Sequence, residues 1–167
     1  MATASMNYAA SADITITLAS LASSSGRIAG RSSAAISNAS NKYIDALVGG
    51  KITPGTTPAG GSVIEVWVYA AVDDTPTYPD VIDGTDAADA FGDVYSKVSA
   101  LRLAKAILPD ATSDQTYWIA PFSVAALFDG VMPQHWGIFV THDTGVALND
   151  TSGNHAFSYT GIKHDVA

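Results

Sequence analysis

The sequence predicts an all-β fold, a jelly-roll-like two-sheet antiparallel β-sandwich with long loops and little helix. The main observation is the apolar run at residues 62–74, SVIEVWVYAAVDD, where β-branched and aromatic residues alternate as in a strand with one fully buried face. Roughly eight to ten strand-like runs occur, with turn residues about every ten positions, which is typical of sandwiches and barrels. Fifteen of the sixteen acidic residues are aspartate, which favours turns over helix interiors. An immunoglobulin-like sandwich is the second choice.

The start of the chain predicts a flexible arm followed by a single domain. Residues 1–12 are small and polar apart from Tyr8, as expected of an arm that orders against a partner. The β-sandwich domain is therefore placed at residues 13–167. Its first strand is expected at 13–18, and a weaker candidate, rich in serine and alanine, at 27–36.

The middle of the chain combines two strands with two long loops. Residues 43–53, YIDALVGGKIT, predict a strand whose paired glycines mark a bulge or a close backbone approach. The loop at 54–61, PGTTPAGG, leads directly to the run at 62–74, so the two strands are expected to form a hairpin. The irregular stretch at 75–92 is the longest, and a loop of this length is usually functional or ordered by a partner.

The last part of the chain is less regular at its beginning than at its end. One helical turn is expected near 86–91 and a strand at about 99–107. Strand-like pieces at 117–120 and 122–126 flank Pro121, which cannot donate a ladder hydrogen bond and so indicates an edge strand or a bend. Two further strands are predicted at 136–142 and 156–162.

The composition limits the partners that the protein could have. The net charge is −8 and no basic stripe is present, so no nucleic-acid partner is expected. No run approaches the ~18 apolar residues of a membrane span, and the first residues lack the basic and apolar regions of a signal peptide, so no membrane partner is expected. Only 14% of the residues are charged. Much of the surface must then be alanine, serine, threonine and glycine, which favours assembly with neighbouring subunits.

No motif predicts catalysis, so the chain is not expected to be an enzyme. The four histidines lack metal-binding spacings, cysteine is absent, and neither a G-x-S-x-G motif nor a glycine-rich phosphate loop is present. His142 and Asp143, next to Thr141, are at most a fragment of a triad. Residues 80–93, DVIDGTDAADAFGD, suggest calcium but do not fit the EF-hand pattern, so solvated loop acids are the favoured interpretation. The sequence therefore predicts no catalytic, cofactor-binding or metal-binding residue and no cofactor.

Aromatic residues offer a subtler possibility. Trp67 and Tyr69 lie on the second face of the strand at 62–74. On a sandwich surface such rings can stack on sugars, but filling the core or an oligomer interface is the favoured interpretation. The candidate partner contacts are Tyr8, Tyr78, Pro79, Trp118 and Trp136.

Two stretches resemble small structural proteins of tailed bacteriophages: 43–86, YIDALVGGKITPGTTPAGGSVIEVWVYAAVDDTPTYPDVIDGTD, and 111–149, ATSDQTYWIAPFSVAALFDGVMPQHWGIFVTHDTGVALN. These are jelly-roll decoration (cement) proteins, which lie on the outside of the capsid. The resemblance covers most of the chain after about residue 13 and rests on the overall residue pattern rather than on a short motif. The family carries no catalytic residues, so none are transferred.

The resemblance implies a non-enzymatic virion protein, synthesised in the host cytoplasm and added to the capsid exterior as a homo-oligomer, a dimer or trimer. Such a protein clamps neighbouring subunits of the major capsid protein and stabilises the shell. The contacts would involve the arm at 1–12 and the loop at 75–92. The alternative is a receptor- or glycan-binding domain of a phage tail or fibre, which predicts exposed tryptophan and tyrosine side chains forming a platform at one end of the sandwich.

Overall fold

A computed structural model describes residues 4–166, and its secondary structure is mostly β. In chain order the strands are β1 (Ala4–Tyr8), β2 (Ala12–Asp13), β3 (Ala29–Ser32), β4 (Ile36–Ser37), β5 (Asp45–Ile52), β6 (Ile64–Ala71), β7 (Ala87–Ala90), β8 (Arg102–Ile107), β9 (Tyr117–Ser123), β10 (His135–His142) and β11 (Ala156–Val166). The helices within the described residues are short: α1 (Val94–Ala100), α2 (Val124–Leu127) and a 3-10 turn at Ser152–Asn154. The predicted all-β class with little helix is confirmed.

The strands form two antiparallel sheets with the connectivity of a jelly roll. Sheet A has the order β1–β11–β5–β9, with β2 also paired to β11, and sheet B has the order β7–β3–β10–β6–β8, with β4 also paired to β10. The eight principal strands in chain order are β2, β3, β5, β6, β8, β9, β10 and β11. When these eight strands are numbered 1 to 8 along the chain, sheet A has the order 1-8-3-6 (β2–β11–β5–β9) and sheet B the order 2-7-4-5 (β3–β10–β6–β8). This order is that of two Greek keys folded into a double sheet, as in a jelly roll.

The main core lies between the two sheets. Buried apolar side chains reach it from both sides, among them Ile64, Val66 and Val68 of β6, Ile138 and Val140 of β10, and Ala46, Val48 and Ile52 of β5. Period-two alternation places each set on one face of its strand. Because each buried aliphatic side chain of this size contributes about 1.5–3 kcal/mol, this layer is a main source of the folding free energy.

A second, smaller core lies on the outer side of sheet B. Trp67 and Tyr69 of β6 and Phe139 of β10 are buried there beneath Ile82 and Phe91. Both faces of β6 and β10 are therefore covered, which explains why their sequences are almost continuously apolar. The prediction that Trp67 and Tyr69 fill a core is confirmed.

Residues 73–100 lie over this second core, and we call them the cover. They comprise the long loop, β7 and α1. Helix α1 begins after Asp93, whose carboxylate accepts a hydrogen bond from the backbone N–H of Ser96 at 2.7 Å. Lys97 is the buried residue of this helix, and its Nζ donates to Glu65 of β6 at 2.7 Å. The long loop thus packs on its own sheet.

Two local predictions are wrong. The helical turn expected at 86–91 is instead strand β7, because residues 87–90 pair with β3, and the helix follows after the cap. The hairpin expected across 54–61 does not form, because β5 belongs to sheet A and β6 to sheet B. The connection crosses between the sheets and makes a bridge from Pro54 to Leu148.

The N-terminal segment is more regular than the arm predicted for residues 1–12. Residues 4–8 form β1, which pairs with the far end of β11; residues 1–3 lie outside the described residues. The pairing is possible because β11 extends beyond the predicted end at 162. The strand predicted at 13–18 is reduced to β2, although Ile14 remains buried in the main core.

Candidate binding face

The structure separates the five candidate contact residues into three environments. Tyr8 and Trp118 are exposed on the outer face of sheet A, with 58% and 78% of their surface accessible. Tyr78 and Pro79 belong to the cover on the opposite side of the sandwich. Trp136 is fully buried in the main core. One pair of candidates, Tyr8 and Trp118, is therefore brought to the same exposed face.

Trp136 is excluded as a partner contact, which corrects the prediction. It lies on the inward face of β10, the middle strand of sheet B, and its indole packs edge-on against Tyr159 of sheet A with ring centroids 5.4 Å apart. Such an aromatic pair joins the two sheets. A side chain between two sheets cannot reach a partner without unfolding.

Tyr78 and Pro79 serve the cover rather than an exposed platform. The ring of Tyr78 packs edge-on against Tyr69, with centroids 5.6 Å apart. Gly84 has φ +81°, and a Cβ atom there would collide with the ring of Tyr78. The carbonyl of Pro79 accepts a hydrogen bond from the N–H of Ile82 at 3.2 Å. These residues are half-buried and fix the loop on sheet B.

The exposed pair borders a shallow trough on the outer face of sheet A. Two adjoining depressions share Gly49, Pro121 and Ser158, which form the common floor. Trp118 stands at one end of the trough and Tyr8 at the other. The remaining side chains that face the trough are small or of moderate size: Leu47, Lys51, Ala156 and Thr160.

The geometry of β5 explains why this floor is low. The pairing of β5 with β9 shifts register between Val48 and Gly50, which confirms the bulge predicted from the paired glycines. A Cβ atom at Gly50 would collide with the carbonyl oxygen of Ala156, whereas one at Gly49 would make ordinary contacts with Ile119 and Pro121. Gly50 therefore allows close approach of β5 and β11, and Gly49 adds no side chain to the floor.

The trough carries little charge and few polar groups. Lys51, which lies opposite Trp118 in the β5–β9 register, contributes an ammonium group, and Ser158 and Thr160 contribute hydroxyl groups. Such a surface can bind by stacking and by apolar burial, with few directional hydrogen bonds. Within residues 4–166, no group of three or more metal-ligating side chains comes together, and no helix is long and apolar enough to cross a membrane.

Charged residues beneath α1 form a partly buried network with a structural role. Nζ of Lys97 lies 4.5 Å from the ring centroid of Trp67 and bonds Glu65, which also accepts from Nε of Arg27 at 2.9 Å. Arg27 pairs in addition with Asp143. Burial raises the pKa of Glu65. Hydrogen bonds from Lys97 and Trp67 and the nearby positive charges together lower it by more, so the net pKa lies below its usual value. The network clamps the cover to β6.

The triad fragment suggested by the sequence does not assemble. Burial lowers the pKa of His142, whose ring nitrogens contact the Thr144 hydroxyl at 2.9 Å and the Leu21 carbonyl at 3.1 Å. Asp143 points elsewhere and accepts from Arg27 and from the N–H of Val63. The buried imidazole therefore contacts a hydroxyl and a carbonyl rather than the carboxylate of Asp143, so a His–Asp pair does not form.

Sequence reasoning missed the floor of the trough and the buried lysine. The paired glycines of β5 were a signal for the floor, since they indicate close backbone approach. Lys97 gave no signal, because a lysine within a short helix is usually solvated. Its burial follows from the position of Glu65 on a neighbouring strand.

Comparisons with protein-family models, with curated proteins and with solved structures find no match to this chain.

Proposed function

We propose that this protein is a non-enzymatic virion structural protein that decorates the outside of a phage capsid and clamps neighbouring subunits of the major capsid protein. The jelly-roll fold and the resemblance of residues 43–86 and 111–149 to capsid decoration proteins support the proposal. The observation that carries it is the trough, where Tyr8 and Trp118 are exposed although neither is needed to fill a core.

Both aromatic rings are hydrated in the isolated protein, so covering them with a partner surface is favourable. Fully burying a large apolar side chain is worth about 1.5–3 kcal/mol, which a partner surface gains when it covers Trp118. Buried aromatic residues at the centre of a patch dominate the energy of protein interfaces. The low, nearly uncharged floor would let a flat protein surface approach both rings together. An acidic protein with a net charge of −8 would also avoid the packaged genome.

The experiment uses capsids purified without the protein, to which wild-type protein or a variant is added. Trp118→Ala is expected to weaken capsid binding about tenfold or more, since the lost burial exceeds 1.4 kcal/mol. The matched control is Tyr95→Ala on α1, because Tyr95 is 80% exposed but lies on the cover. It should bind as wild type does. Co-sedimentation measures the bound fraction.

Capsid rupture on heating tests the stabilising role in the same samples. Decorated capsids should rupture at a higher temperature than bare ones, and capsids incubated with Trp118→Ala should resemble bare capsids. Equal rupture of bare and decorated capsids would refute the clamping function. Unimpaired binding of Trp118→Ala would refute the trough as the contact face.

A receptor- or glycan-binding domain of a phage tail or fibre is the second candidate. The observation that favours it is the neighbourhood of Trp118, where the Lys51 ammonium and the Ser158 hydroxyl border an exposed indole. Stacking rings beside a few polar groups are suited to sugars. Glycan-array binding that disappears in Trp118→Ala but persists in Tyr95→Ala would support this candidate, and no binding of the wild-type protein to any glycan would count against it.

A further inference from the structure

We infer that the outer edge of β1 is a self-association surface, on which the β1 strand of a second copy pairs antiparallel about a two-fold axis at Met6. The inference deepens the proposed function, which includes a homo-oligomer. The dimer itself is inferred from the geometry of β1. Only its role at the capsid rests on the proposed function.

The first observation is that β1 leaves half of its backbone groups unpaired. The N–H of Ala9 donates to the carbonyl of Gly161 at 2.8 Å, which continues the register in which Tyr8 lies opposite Ile162. Hydrogen-bonded and non-hydrogen-bonded pairs alternate in an antiparallel ladder. The N–H and C=O groups of Ala4, Met6 and Tyr8 therefore point away from β11, and within residues 4–166 no strand pairs with this edge.

The second observation is that β1 lacks the devices that protect the other sheet edges. Edge strands usually carry charge, proline or a bulge, or are very short, which prevents pairing with another chain. In sheet B, β8 carries Arg102 and Lys105, and the four-residue β7 carries Asp89. At the far edge of sheet A, β9 contains Pro121. Strand β1, ASMNY, has no charge, no proline and no glycine.

The third observation is that the ribbon formed by β1 and the end of β11 has little packing of its own. Strand β5 pairs with β11 only as far as Ile162, whereas β1 continues the pairing to Val166. Every residue of β1 is exposed, including Met6 at 60%. A two-stranded ribbon is marginally stable in water, so a third and a fourth strand would stabilise it.

A second copy of the chain fits this edge better than an unrelated strand. With Met6 on the two-fold axis, Met6 lies opposite its own symmetry mate and Ala4 lies opposite Tyr8. The three N–H and three C=O groups that each copy offers are then all paired. The apolar side chains of Ala4, Met6 and Tyr8 share one face across the junction. Because β1 is uncharged, the pairing brings no like charges of its own together, although each chain carries a net charge of −8.

The pairing has a consequence for the binding face. Antiparallel pairing of equivalent strands within one sheet requires a two-fold axis perpendicular to that sheet. Both troughs of the dimer then face the same side. Two linked contacts on one surface bind more tightly than either alone, so a dimer of this geometry could span two neighbouring subunits.

Sedimentation of the full-length protein without capsids tests the inference. The mass of the wild-type protein should rise from 17.2 kDa towards twice that value as concentration increases. Met6→Lys and Met6→Glu, each measured alone, place like charges opposite each other on the axis and should require about fivefold higher concentration to dimerise. An equimolar mixture of the two variants should dimerise again.

Ser5→Lys is the matched control, because Ser5 lies on the same strand but off the axis and on the opposite face. It should dimerise as wild type does. A monomer at every concentration, Met6→Lys that dimerises as wild type does, or a mixture of Met6→Lys and Met6→Glu that stays monomeric would each overturn the inference. Because no capsid is used, these outcomes are independent of the Trp118→Ala binding experiment.

Discussion

The two outer faces of the sandwich differ in how far their outward-pointing aromatic residues are exposed. On sheet B, Trp67 points away from the main core and is nonetheless only 6% exposed, because the cover lies over it. On sheet A, Trp118 also points outward and remains 78% exposed. Both residues lie on the outward face of a strand, β6 for Trp67 and β9 for Trp118. What differs is whether the chain places a further segment over the face.

This difference separates residues that stabilise the fold from residues that remain free to bind a partner. The cover is anchored by hydrogen bonds and packing within the chain, as the contacts of Lys97 and Tyr78 show. The trough has no such covering segment among the described residues. An outward aromatic residue on a strand is therefore informative about binding only once the covering segments are known.

The largest effect should come from the same substitution made on the two faces. Trp67→Ala removes a buried indole that packs in the second core and donates to Glu65, and should cost about 3–5 kcal/mol of unfolding free energy. Trp118→Ala should change the unfolding free energy by less than about 0.5 kcal/mol. Urea unfolding followed by circular dichroism measures both.

If Trp67→Ala fails to fold, Trp67→Phe provides the comparison with a smaller loss, because it keeps an aromatic ring in the second core. Equal costs for the Trp67 and Trp118 variants would contradict the distinction between a covered and a bare face.

An intermediate loss of unfolding free energy should follow when the hydrogen bonds of Lys97, which hold the cover on β6, are removed. Lys97→Met keeps the bulk of the side chain but removes the hydrogen bonds from Nζ to Glu65 and to the carbonyl of Arg27. Because hydrogen bonds to charged groups are worth about 1.5–3 kcal/mol, a loss in that range is expected. Lys42→Met at an exposed position is the control, with less than about 0.5 kcal/mol expected.

Hydrogen exchange locates the effect of Lys97→Met. Amides of α1 and β7 should exchange faster in this variant, whereas amides of β5 and β9 beneath the trough should be unchanged. Uniform acceleration over both sheets would show that Lys97 supports the whole domain rather than the cover.

The smallest effect concerns pH. Because the folded-state pKa of Glu65 lies below its usual value of 4.5, ionised Glu65 stabilises the fold fully above pH 4.5, and this contribution is lost as the pH falls through the folded-state pKa. Glu65→Gln should therefore be destabilised relative to wild type by a constant amount above pH 4.5, and the difference should shrink below it. The change is modest because the group is partly hydrated. Urea unfolding at a series of pH values measures the difference, and one that stays constant into the acid range would contradict the assignment.

Several parts of the fold were predictable because they depend on local patterns. The alternation at 62–74 and 136–142 predicts β6 and β10, since residues that face a core must be apolar at every second position. Pro121 predicts an edge strand or a bend, because proline lacks the N–H that an inner strand needs, and β9 is an edge strand. The paired glycines predict the bulge for a similarly local reason.

Other features depend on contacts between distant parts of the chain. The prediction of a hairpin across 54–61 is wrong because β5 and β6 lie in different sheets of the sandwich. The residues of the loop do not indicate whether the two strands that it joins share a sheet. The arm at 1–12 contains β1 because the end of β11 is free to pair with it. A tryptophan such as Trp136 is a residue type common at protein interfaces. It is nevertheless buried, because β10 lies in the middle of its sheet and Trp136 faces the core.

By itself, the sequence determined that this chain is a β-sandwich with long loops, because the period of two and the turn residues act over a few neighbouring positions. Only the tertiary structure decided which aromatic residues are buried and which are exposed. That depends on which strand lies at an edge, which face the cover lies over, and which strands meet across the sandwich. Tyr8 and Trp118 lie 110 positions apart in the sequence, and their common face exists only because β11 and β5 lie between them in one sheet.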